Sequence, residues 1–346
     1  MKMAMQDIDN LKKNGLKLAA PSYCCFSITL RCLTRCKSCY IWKQKEDFCK
    51  ELPVESWIAA VKSLSGFLDK KTDIIITGGE PLLKENILDL ITFCSNKGIK
   101  ISLQTNASLI NKELVKKLAD AGLWRIGISL YSLREEIHDY LRGRKGVYRK
   151  VLEAIDFLSK FAPGIGINIQ SIIMDINLED IIKMADWVEK DKRIDYVYFL
   201  APMLPFGASE DKDWFSRNDY RFMWPQDPVR ASSILDELID KKGHFRKIAN
   251  PVSQLHIFKR YFNHSLVHND TKCALGLRGI NVDLEGNVFL CFSQASIGNI
   301  QDGNLEDIWV SDKAQEVRQQ MKHCNRKCHF LINCSFKYED LADHAG

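Results

Sequence analysis

The sequence predicts an α/β fold, a partial (β/α)6 TIM-like barrel over residues 25–205 followed by a small α+β module over residues 271–346. Three observations predict it: short apolar runs alternate with amphipathic helical segments, a polar or glycine-containing loop follows each run, and six such units occur. This pattern is typical of a parallel sheet with helices outside, and six units suit an incomplete barrel better than a doubly wound sheet. Residues 1–24 are a lead-in, and residues 206–270 are a connecting or lid region.

The individual elements follow from hydrophobic periodicity. The predicted strands are residues 25–30, 73–77, 100–105, 125–130, 164–171 and 195–200. A predicted helix over residues 53–68 begins at a proline and places Val54, Trp57 and Val61 on one apolar stripe. Similar stripes lie between residues 87–94, 114–118, 151–158 and 181–188. In the C-terminal module we predict a hairpin over residues 280–291 and one helix over residues 304–321.

Composition excludes several classes of protein. The chain has 346 residues and a net charge of +5 without a basic run, so nothing in it requires nucleic acid or an anionic membrane as a partner. No run of about 18 apolar residues occurs, so we expect no membrane span. Twelve cysteines in a large chain without a secretory signal indicate a reducing compartment, and we expect a soluble, cytoplasmic protein.

Three cysteines, Cys32, Cys36 and Cys39, come directly after the first predicted strand. Three thiolates can hold three irons of a cubane cluster and leave the fourth iron open to a small molecule. Zinc is one alternative, with Cys49 available as a fourth ligand, and packing of core thiols is another. The spacing favours the open cluster, because no histidine or fourth cysteine lies close by in the sequence to complete a tetrahedron.

Polar residues also follow the next four predicted strands, at the point where each strand ends. In chain order they are Gly78, Gly79, Glu80 and Pro81 after the second strand, Asn106 after the third, Ser129 at the end of the fourth and Gln170 at the end of the fifth. In parallel βα folds the working residues gather at the carboxyl ends of the strands. We therefore expect these residues and the cysteine triplet to share one rim, as a single active site.

The Cys-x3-Cys-x2-Cys triplet followed by Gly-Gly-Glu-Pro resembles the radical S-adenosylmethionine (SAM) superfamily. The resemblance implies that Cys32, Cys36 and Cys39 bind a [4Fe–4S] cluster whose open iron chelates the amino and carboxylate groups of SAM. It also implies that residues 78–80 meet the methionyl ammonium, with the Glu80 carboxylate offered to that cation.

Three further residues match the superfamily's looser polar contacts to ribose and carboxylate: Asn106, Ser129 and Arg142. Asn and Ser at strand ends often satisfy loop backbone instead, and Arg142 is equally readable as a solvated surface charge. Two positions depart from the pattern. Ser38 stands before the third cysteine, where an aromatic residue is common, and Tyr131 stands where an acidic residue is common. Neither change removes an iron ligand.

Five cysteines belong to the C-terminal module: Cys273, Cys291, Cys324, Cys328 and Cys334. Together with the Gly286-x4-Cys291 spacing in the predicted hairpin, they resemble the SPASM or twitch extension of radical SAM enzymes. The two-cluster version has seven cysteines, so the resemblance implies one auxiliary iron–sulfur cluster of [4Fe–4S] type, with Cys334 competing for the fourth ligand position. A zinc knuckle that includes His329 is the alternative.

The rest of the chain gives weaker signals. We assign Cys24, Cys25, Cys49 and Cys94 to packing or unliganded thiols. The aromatic residues between Trp214 and Trp224 could wall a substrate pocket, although such residues more often pack a long loop against its neighbours.

By resemblance, the enzyme cleaves SAM reductively to a 5′-deoxyadenosyl radical that abstracts hydrogen from a peptide or small metabolite, and the auxiliary cluster supports oxidation, cross-linking or epimerisation. A flavodoxin or ferredoxin is the implied electron donor. Only about 24 residues precede the first strand, too few to fold alone, so a peptide substrate would need direct binding or a separate recognition protein. A non-catalytic iron–sulfur or zinc protein is the alternative, which the Gly-Gly-Glu-Pro motif argues against. The sequence identifies no general acid or base.

Overall fold

The computed structural model describes residues 20–43, 50–64, 66–68, 72–205, 208, 213–263 and 275–324. The strands in this part of the chain are β1 (Tyr23–Thr29), β2 (Asp73–Gly78), β3 (Lys100–Thr105), β4 (Arg125–Ser129), β5 (Gly166–Ile172), β6 (Tyr196–Leu200), β7 (Gly279–Val282), β8 (Asn287–Phe289) and β9 (Gly298–Asn299). They form one sheet in the order β6-β5-β4-β3-β2-β1-β7-β8-β9.

The predicted fold class is confirmed. Strands β1 to β6 are all parallel and lie side by side in chain order, as successive βα units produce in a partial barrel. The small C-terminal module contributes β7, which pairs parallel to β1, and then β8 and β9 in antiparallel pairing. The module therefore extends the barrel sheet on the side of the strand that leads into the cysteine triplet.

Helices between and after the strands supply the outer layer. In chain order they are α1 (Val54–Leu64), α2 (Ile87–Asn96), α3 (Lys112–Asp120), α4 (Glu135–Arg142), α5 (Val147–Phe161), α6 (Asp180–Lys190), α7 (Pro228–His244), α8 (Val252–Phe262), α9 (Leu275–Arg278), α10 (Leu305–Val310) and α11 (Asp312–Lys322). Their apolar stripes pack on the sheet; Phe26 of β1 and Trp57 of α1, both fully buried, lie with ring centroids 5.3 Å apart. A large apolar side chain buried in this way contributes about 1.5–3 kcal/mol.

The edge strand β6 is covered by the chain that follows α7. The backbone of Val197 exchanges hydrogen bonds with Lys247 and Ala249, at 2.8 and 2.9 Å. The buried side chain of Asn250 then accepts a hydrogen bond from the Phe199 amide and donates one to the Phe199 carbonyl. These contacts satisfy backbone groups that an open sheet edge would otherwise expose.

Two helix predictions differ from the structure. The helix predicted over residues 304–321 is two helices, because Ser311 leaves the helical conformation and its hydroxyl accepts a hydrogen bond from Ala314 to begin α11. The helix α4 is absent from the prediction, since its buried face carries His138, Asp139 and Arg142 beside a single leucine and so gives no apolar stripe. No helix in the described ranges is both long enough and apolar enough to cross a bilayer.

Candidate active site

The loop after β1 places the cysteine triplet at the carboxyl end of the sheet. Cys36 is buried, whereas Cys32 and Cys39 are partly exposed. The buried hydroxyl of Thr34 lies between two of them, 3.3 Å from the Cys32 sulfur and 3.4 Å from the Cys36 sulfur. The loop therefore turns the Cys32 and Cys36 thiols toward each other, as ligation of a shared group requires.

The C-terminal end of α4 fixes the shape of this loop. The amide of Arg35 donates to the carbonyl of Arg142 at 3.1 Å, and the amide of Lys37 donates to the carbonyl of Leu141 at 2.9 Å. Gly143 ends the helix at φ +63°, and a Cβ there would lie 2.1 Å from the Arg35 carbonyl oxygen. The glycine is thus required both for the left-handed turn and for the close approach of the two segments.

Gly78 and Gly79 let the carboxyl end of β2 pack closely against the start of the cysteine loop. A Cβ on Gly78 would lie 2.1 Å from the Thr29 carbonyl oxygen, and one on Gly79 would lie 2.3 Å from that of Arg31. The amides of Gly79 and Glu80 donate to the same two carbonyls at 2.8 Å each. These glycines therefore join β2 to the loop that carries the thiols.

Glu80 is fully buried and connects β2 to β3. Its carboxylate accepts hydrogen bonds from the Thr105 hydroxyl at 2.8 Å, the Asn106 amide at 2.9 Å and the Leu82 amide at 3.3 Å. Burial raises the pKa of the Glu80 carboxyl, although these donors and Arg142 act in the opposite direction. The carboxylate expected to face a ligand's ammonium group is thus held by the chain itself, and Pro81 opens a 3-10 turn behind it.

Arg142 is a buried cation at the centre of the site. It is 5% exposed, so the solvated-surface interpretation of this residue does not hold. Burial lowers the pKa of its guanidinium, but Cys36, Tyr131, Cys32 and Glu80 outweigh that effect and raise the pKa above the ordinary value. Its Nε is buried without a hydrogen-bond partner. A positive group with an unused donor beside two thiols suits an anionic ligand or cluster.

The two departures from the superfamily pattern contact each other. The Ser38 side chain lies close enough to Tyr131 to act on the pKa of its hydroxyl, which burial raises and Ser38 lowers, and the Tyr131 ring lies 5.0 Å from the Arg142 guanidinium carbon. The Tyr131 amide donates to Nδ1 of the buried His138 at 3.1 Å. Tyr131 therefore supplies an aromatic ring close to the position where the sequence lacks one, at Ser38.

Asn106 also reaches the triplet, since its side-chain nitrogen lies 3.7 Å from the Cys32 sulfur. Ser129 ends β4 at the same edge of the sheet, where it lies in register with Gln170 of β5. The structure thus brings Gly78, Gly79, Glu80, Asn106 and Arg142 together with the cysteine loop and places Ser129 at the end of β4, the strand next to β3.

A charged cluster at the base of the loop was not predicted from the sequence. Glu51, largely buried, accepts a hydrogen bond from the Thr29 hydroxyl at 2.5 Å and forms ion pairs with Arg31 at 3.3 Å and Lys84 at 3.5 Å. It anchors the residue before the first cysteine. Only the three-dimensional structure reveals this role of Glu51, because the residue lies far from the motif residues in the sequence.

In the C-terminal module the structure describes two of the five predicted ligands. Cys291 is buried at the exit of β8, where its sulfur accepts a hydrogen bond from the Ser293 amide at 3.4 Å. Cys324 lies two residues after the end of α11. Cys273, Cys328 and Cys334 lie outside the described residues, as do Cys49 and His329.

Three cysteines that we assigned to packing lie in the core. Cys24, Cys25 and Cys94 are buried, and burial raises the pKa of their thiols to about 12, about 11 and about 12. They are therefore neutral near pH 7.

The aromatic residues before α7 divide into two groups. Trp214 and Trp224 are buried and stack edge to face at 5.8 Å, and Trp224 packs on Tyr261 of α8 at 4.8 Å. Phe222 instead helps to line a cleft of about 540 Å³ beside Cys36. Most of the segment is thus packing, with one edge at the site.

The residues present fit the cluster that the sequence predicts. The Cys32 and Cys36 thiols flank one hydroxyl, and Cys39, whose thiol pKa is raised mainly by burial, lies close enough to both for them to raise it further. A buried guanidinium with an unused donor lies beside them, and packed glycines hold the next strand end close. Within the described residues, no three His, Cys, Asp or Glu side chains are gathered tightly enough to ligate one metal ion.

Comparison with known proteins identifies two domains. Residues 26–188 match the model of the radical SAM superfamily, and residues 273–335 match SPASM, an iron–sulfur cluster-binding domain. The chain is 26% identical over 262 residues to an AdoMet-dependent heme synthase of Methanosarcina barkeri. That alignment covers 75% of this chain and 74% of the heme synthase. It is also 26% identical over 332 residues to AlbA, the antilisterial bacteriocin subtilosin biosynthesis protein of Bacillus subtilis. That alignment covers 92% of this chain and 67% of AlbA.

The fold is similar to that of Streptococcus suis SuiB bound to S-adenosylmethionine. The TM-score is 0.68 at 19% identity, over 99% of this chain and 78% of SuiB. SuiB bound to its precursor peptide SuiA gives a TM-score of 0.64 at 18% identity, over 99% of this chain and 77% of SuiB.

Proposed function

Since the chain belongs to the radical SAM superfamily and carries a C-terminal SPASM domain, we propose that it cleaves SAM reductively and abstracts hydrogen from a peptide. The observation that carries this proposal is the arrangement at the carboxyl end of the sheet. There the loop of Cys32, Cys36 and Cys39 docks against the Gly78–Gly79 strand end and the buried Arg142.

The radical SAM domain binds a [4Fe–4S] cluster and SAM, and the SPASM domain binds an auxiliary iron–sulfur cluster. The first cluster, when bound, supplies the low-potential electron that converts SAM into methionine and a 5′-deoxyadenosyl radical. Cys32, Cys36 and Cys39 are the proposed ligands. The auxiliary cluster is assigned to Cys273, Cys291, Cys324 and Cys328, with Cys334 as the competing ligand.

The remaining site residues bind and orient SAM. Arg142 offers a buried guanidinium to its carboxylate, and the backbone of residues 78 and 79 receives its ammonium group. Glu80 is a positioning residue in this proposal, because it holds the Asn106 amide in place from the neighbouring strand. Asn106 and Ser129 then face the ribose from the ends of β3 and β4.

A peptide is the favoured substrate. AlbA, a relative that matches over 92% of this chain, is a bacteriocin biosynthesis protein, and the similar SuiB binds a precursor peptide. The auxiliary cluster would then accept an electron from the peptide radical, in an oxidation, cross-linking or epimerisation reaction. A small metabolite is the second candidate, since the heme synthase match covers three quarters of the chain.

Formation of 5′-deoxyadenosine tests the proposal. Anaerobically purified protein with reconstituted clusters, given dithionite and SAM, should release 5′-deoxyadenosine and methionine. The variant in which Cys32, Cys36 and Cys39 are all alanine should release neither, yet it should retain auxiliary iron. Activity that persists in this variant would contradict the assignment of the ligands.

The substrate is tested by isotope transfer. A precursor peptide labelled with deuterium at its α- and β-carbons should pass deuterium into 5′-deoxyadenosine. Transfer from a labelled metabolite, and none from peptides, would favour the second candidate.

A further inference from the structure

Arg318 of α11 is a second buried cation, and it belongs to the SPASM domain. The residue is 3% exposed. Its Nε donates a hydrogen bond to the carbonyl of Gly276 at 2.8 Å, and its Nη2 donates one to the carbonyl of Trp309 at 2.8 Å. The guanidinium carbon lies 4.3 Å from the centroid of the buried Trp309 ring. Three contacts therefore hold the guanidinium in one place.

The charge of Arg318 is not balanced by a nearby carboxylate. Within the described residues it forms no ion pair, and its Nη1 is buried without a hydrogen-bond acceptor. Burial lowers the pKa of its guanidinium to about 10. The two carbonyls that it contacts, in α9 and near the end of α10, carry only partial charges. Because a buried charge is unfavourable unless it is paired, the surroundings of Arg318 suit an anionic ligand with a free acceptor atom.

Arg142 shows the same combination of features beside the cysteine triplet. It too is buried, with an N–H group that has no acceptor. Burial lowers the pKa of the Arg142 guanidinium, but Cys36, Tyr131 and Cys32 help to raise it above the ordinary value. Among the described residues, no anionic group acts on Arg318 in this way. Each of the two domains thus contains a buried arginine with a free donor, and that of the radical SAM domain lies beside cluster ligands.

Arg318 lies where two segments that adjoin proposed cluster ligands meet. Gly276 comes three residues after Cys273 in the sequence, and Met321 comes three residues before Cys324. A Cβ on Gly276 would lie 2.9 Å from the Met321 sulfur and 3.5 Å from Cγ of Arg318, so the two segments are closely packed. An iron–sulfur cluster held by four thiolates is an anion whose sulfur atoms accept hydrogen bonds. The auxiliary cluster therefore has the chemistry that the surroundings of Arg318 suit.

We propose that Arg318 is the counter-charge of the auxiliary cluster and that its Nη1 donates a hydrogen bond to one of the cluster's sulfur atoms. This inference rests on the proposed function, because it assumes that cluster. A buried cation and a hydrogen bond to sulfur stabilise the more negative, reduced state, so Arg318 raises the reduction potential of the cluster. The peptide radical then loses one electron more readily and the cluster gains it; no bond forms or breaks in this transfer.

The test measures the reduction potential of the auxiliary cluster alone. The parent protein has alanine in place of Cys32, Cys36 and Cys39, so a dithionite titration followed by electron paramagnetic resonance (EPR) reports only the auxiliary cluster. In this parent, Arg318→Gln removes the buried charge, whereas Arg318→Lys keeps a charge but loses the forked donors. The control, Lys313→Gln, removes one exposed charge from the same helix.

We expect Arg318→Gln to lower the equilibrium constant for reduction by at least about tenfold, which is about 59 mV for a one-electron step. Arg318→Lys should lower it less, and Lys313→Gln should leave it unchanged. Equal potentials in the parent, Arg318→Gln and Lys313→Gln proteins, at equal auxiliary iron, would overturn the proposal. Arg318 would then serve only to join the ends of α9 and α10.

A second measurement needs no substitution of Arg318 and decides the question if Arg318→Gln fails to fold or to bind iron. The parent protein is labelled with nitrogen-15 arginine, and its reduced auxiliary cluster is studied by pulsed EPR. A nitrogen-15 coupling that disappears in Arg318→Lys is expected, and a labelled parent protein without any such coupling would overturn the proposal. Failure of the proposed function gives a different result, because the parent protein would then bind no auxiliary iron and give no cluster signal.

Discussion

Replacing Gly143 by alanine should displace the cysteine loop, and Gly146 provides a matched control. Both glycines have positive φ, at +63° and +82°. A Cβ at residue 143 would lie 2.1 Å from the Arg35 carbonyl oxygen, whereas one at residue 146 would meet nothing within 4 Å. The two substitutions therefore share the backbone penalty and differ in the clash.

The magnitudes follow from this geometry. The left-handed conformation costs an alanine about 1–2 kcal/mol at either position. Because real Cβ contacts stay above 3.0 Å, the Gly143→Ala variant must also move the Arg35 carbonyl by roughly 0.9 Å. That movement strains the hydrogen bonds of Arg35 and Lys37 to the end of α4, each contributing about 0.5–1.5 kcal/mol. We expect Gly143→Ala to be less stable than Gly146→Ala by about 1–3 kcal/mol.

Two measurements check this prediction. Chemical unfolding compares the free energies of unfolding, and iron analysis after anaerobic reconstitution compares cluster loading. The Gly143→Ala variant should lose up to about four irons per chain and most of its SAM cleavage, while Gly146→Ala keeps both. Equal iron and equal cleavage in the two variants would refute the claim that the end of α4 shapes the ligand loop.

Three further predictions concern buried side chains of the site. Glu80→Gln leaves a buried donor such as the Asn106 amide poorly paired, so the free energy of unfolding should fall by about 1–3 kcal/mol. SAM should also bind more weakly, and unchanged SAM affinity would contradict the positioning role of Glu80. The Tyr131 and Ser38 side chains lie close together, so Tyr131→Phe and Ser38→Ala should each destabilise by at most about 1 kcal/mol and should be non-additive; additive losses in a double-mutant cycle would exclude an interaction between them. Burial lowers the pKa of His138 to about 3, so the unfolded chain alone gains this proton as the pH falls below about 6.5. Stability should therefore drop by about 2 kcal/mol more between pH 7 and pH 5 in the wild type than in His138→Gln, and equal drops in the two proteins would contradict it.

The parallel sheet and its working edge were predictable because they depend on local patterns. Apolar runs of strand length fix β1 to β6 within two residues at either end, and the Cys and Gly-Gly-Glu-Pro motifs lie beside them in the sequence. The pairing of β7 with β1 could not be predicted, since nothing local specifies which sheet edge a distant hairpin joins.

The electrostatics of the site depended on tertiary contacts. Arg142 lies on a helix whose buried face is polar, so hydrophobic periodicity gave no sign that its guanidinium is in the interior. The Ser38–Tyr131 contact joins residues 93 positions apart in the sequence, and each looked like an isolated departure from the pattern. In the sequence, Gly143 was the available signal for the end of α4, because a glycine after a helix marks a C-terminal turn.

Mössbauer spectroscopy of protein reconstituted with iron-57 tests the central claim most directly. If Cys32, Cys36 and Cys39 hold a [4Fe–4S] cluster with one open iron, then SAM should convert one iron of that cluster into a distinct site with a higher isomer shift. The variant with alanine at all three positions should lack that change and keep only the auxiliary signal. Spectra that are identical with and without SAM would contradict the account.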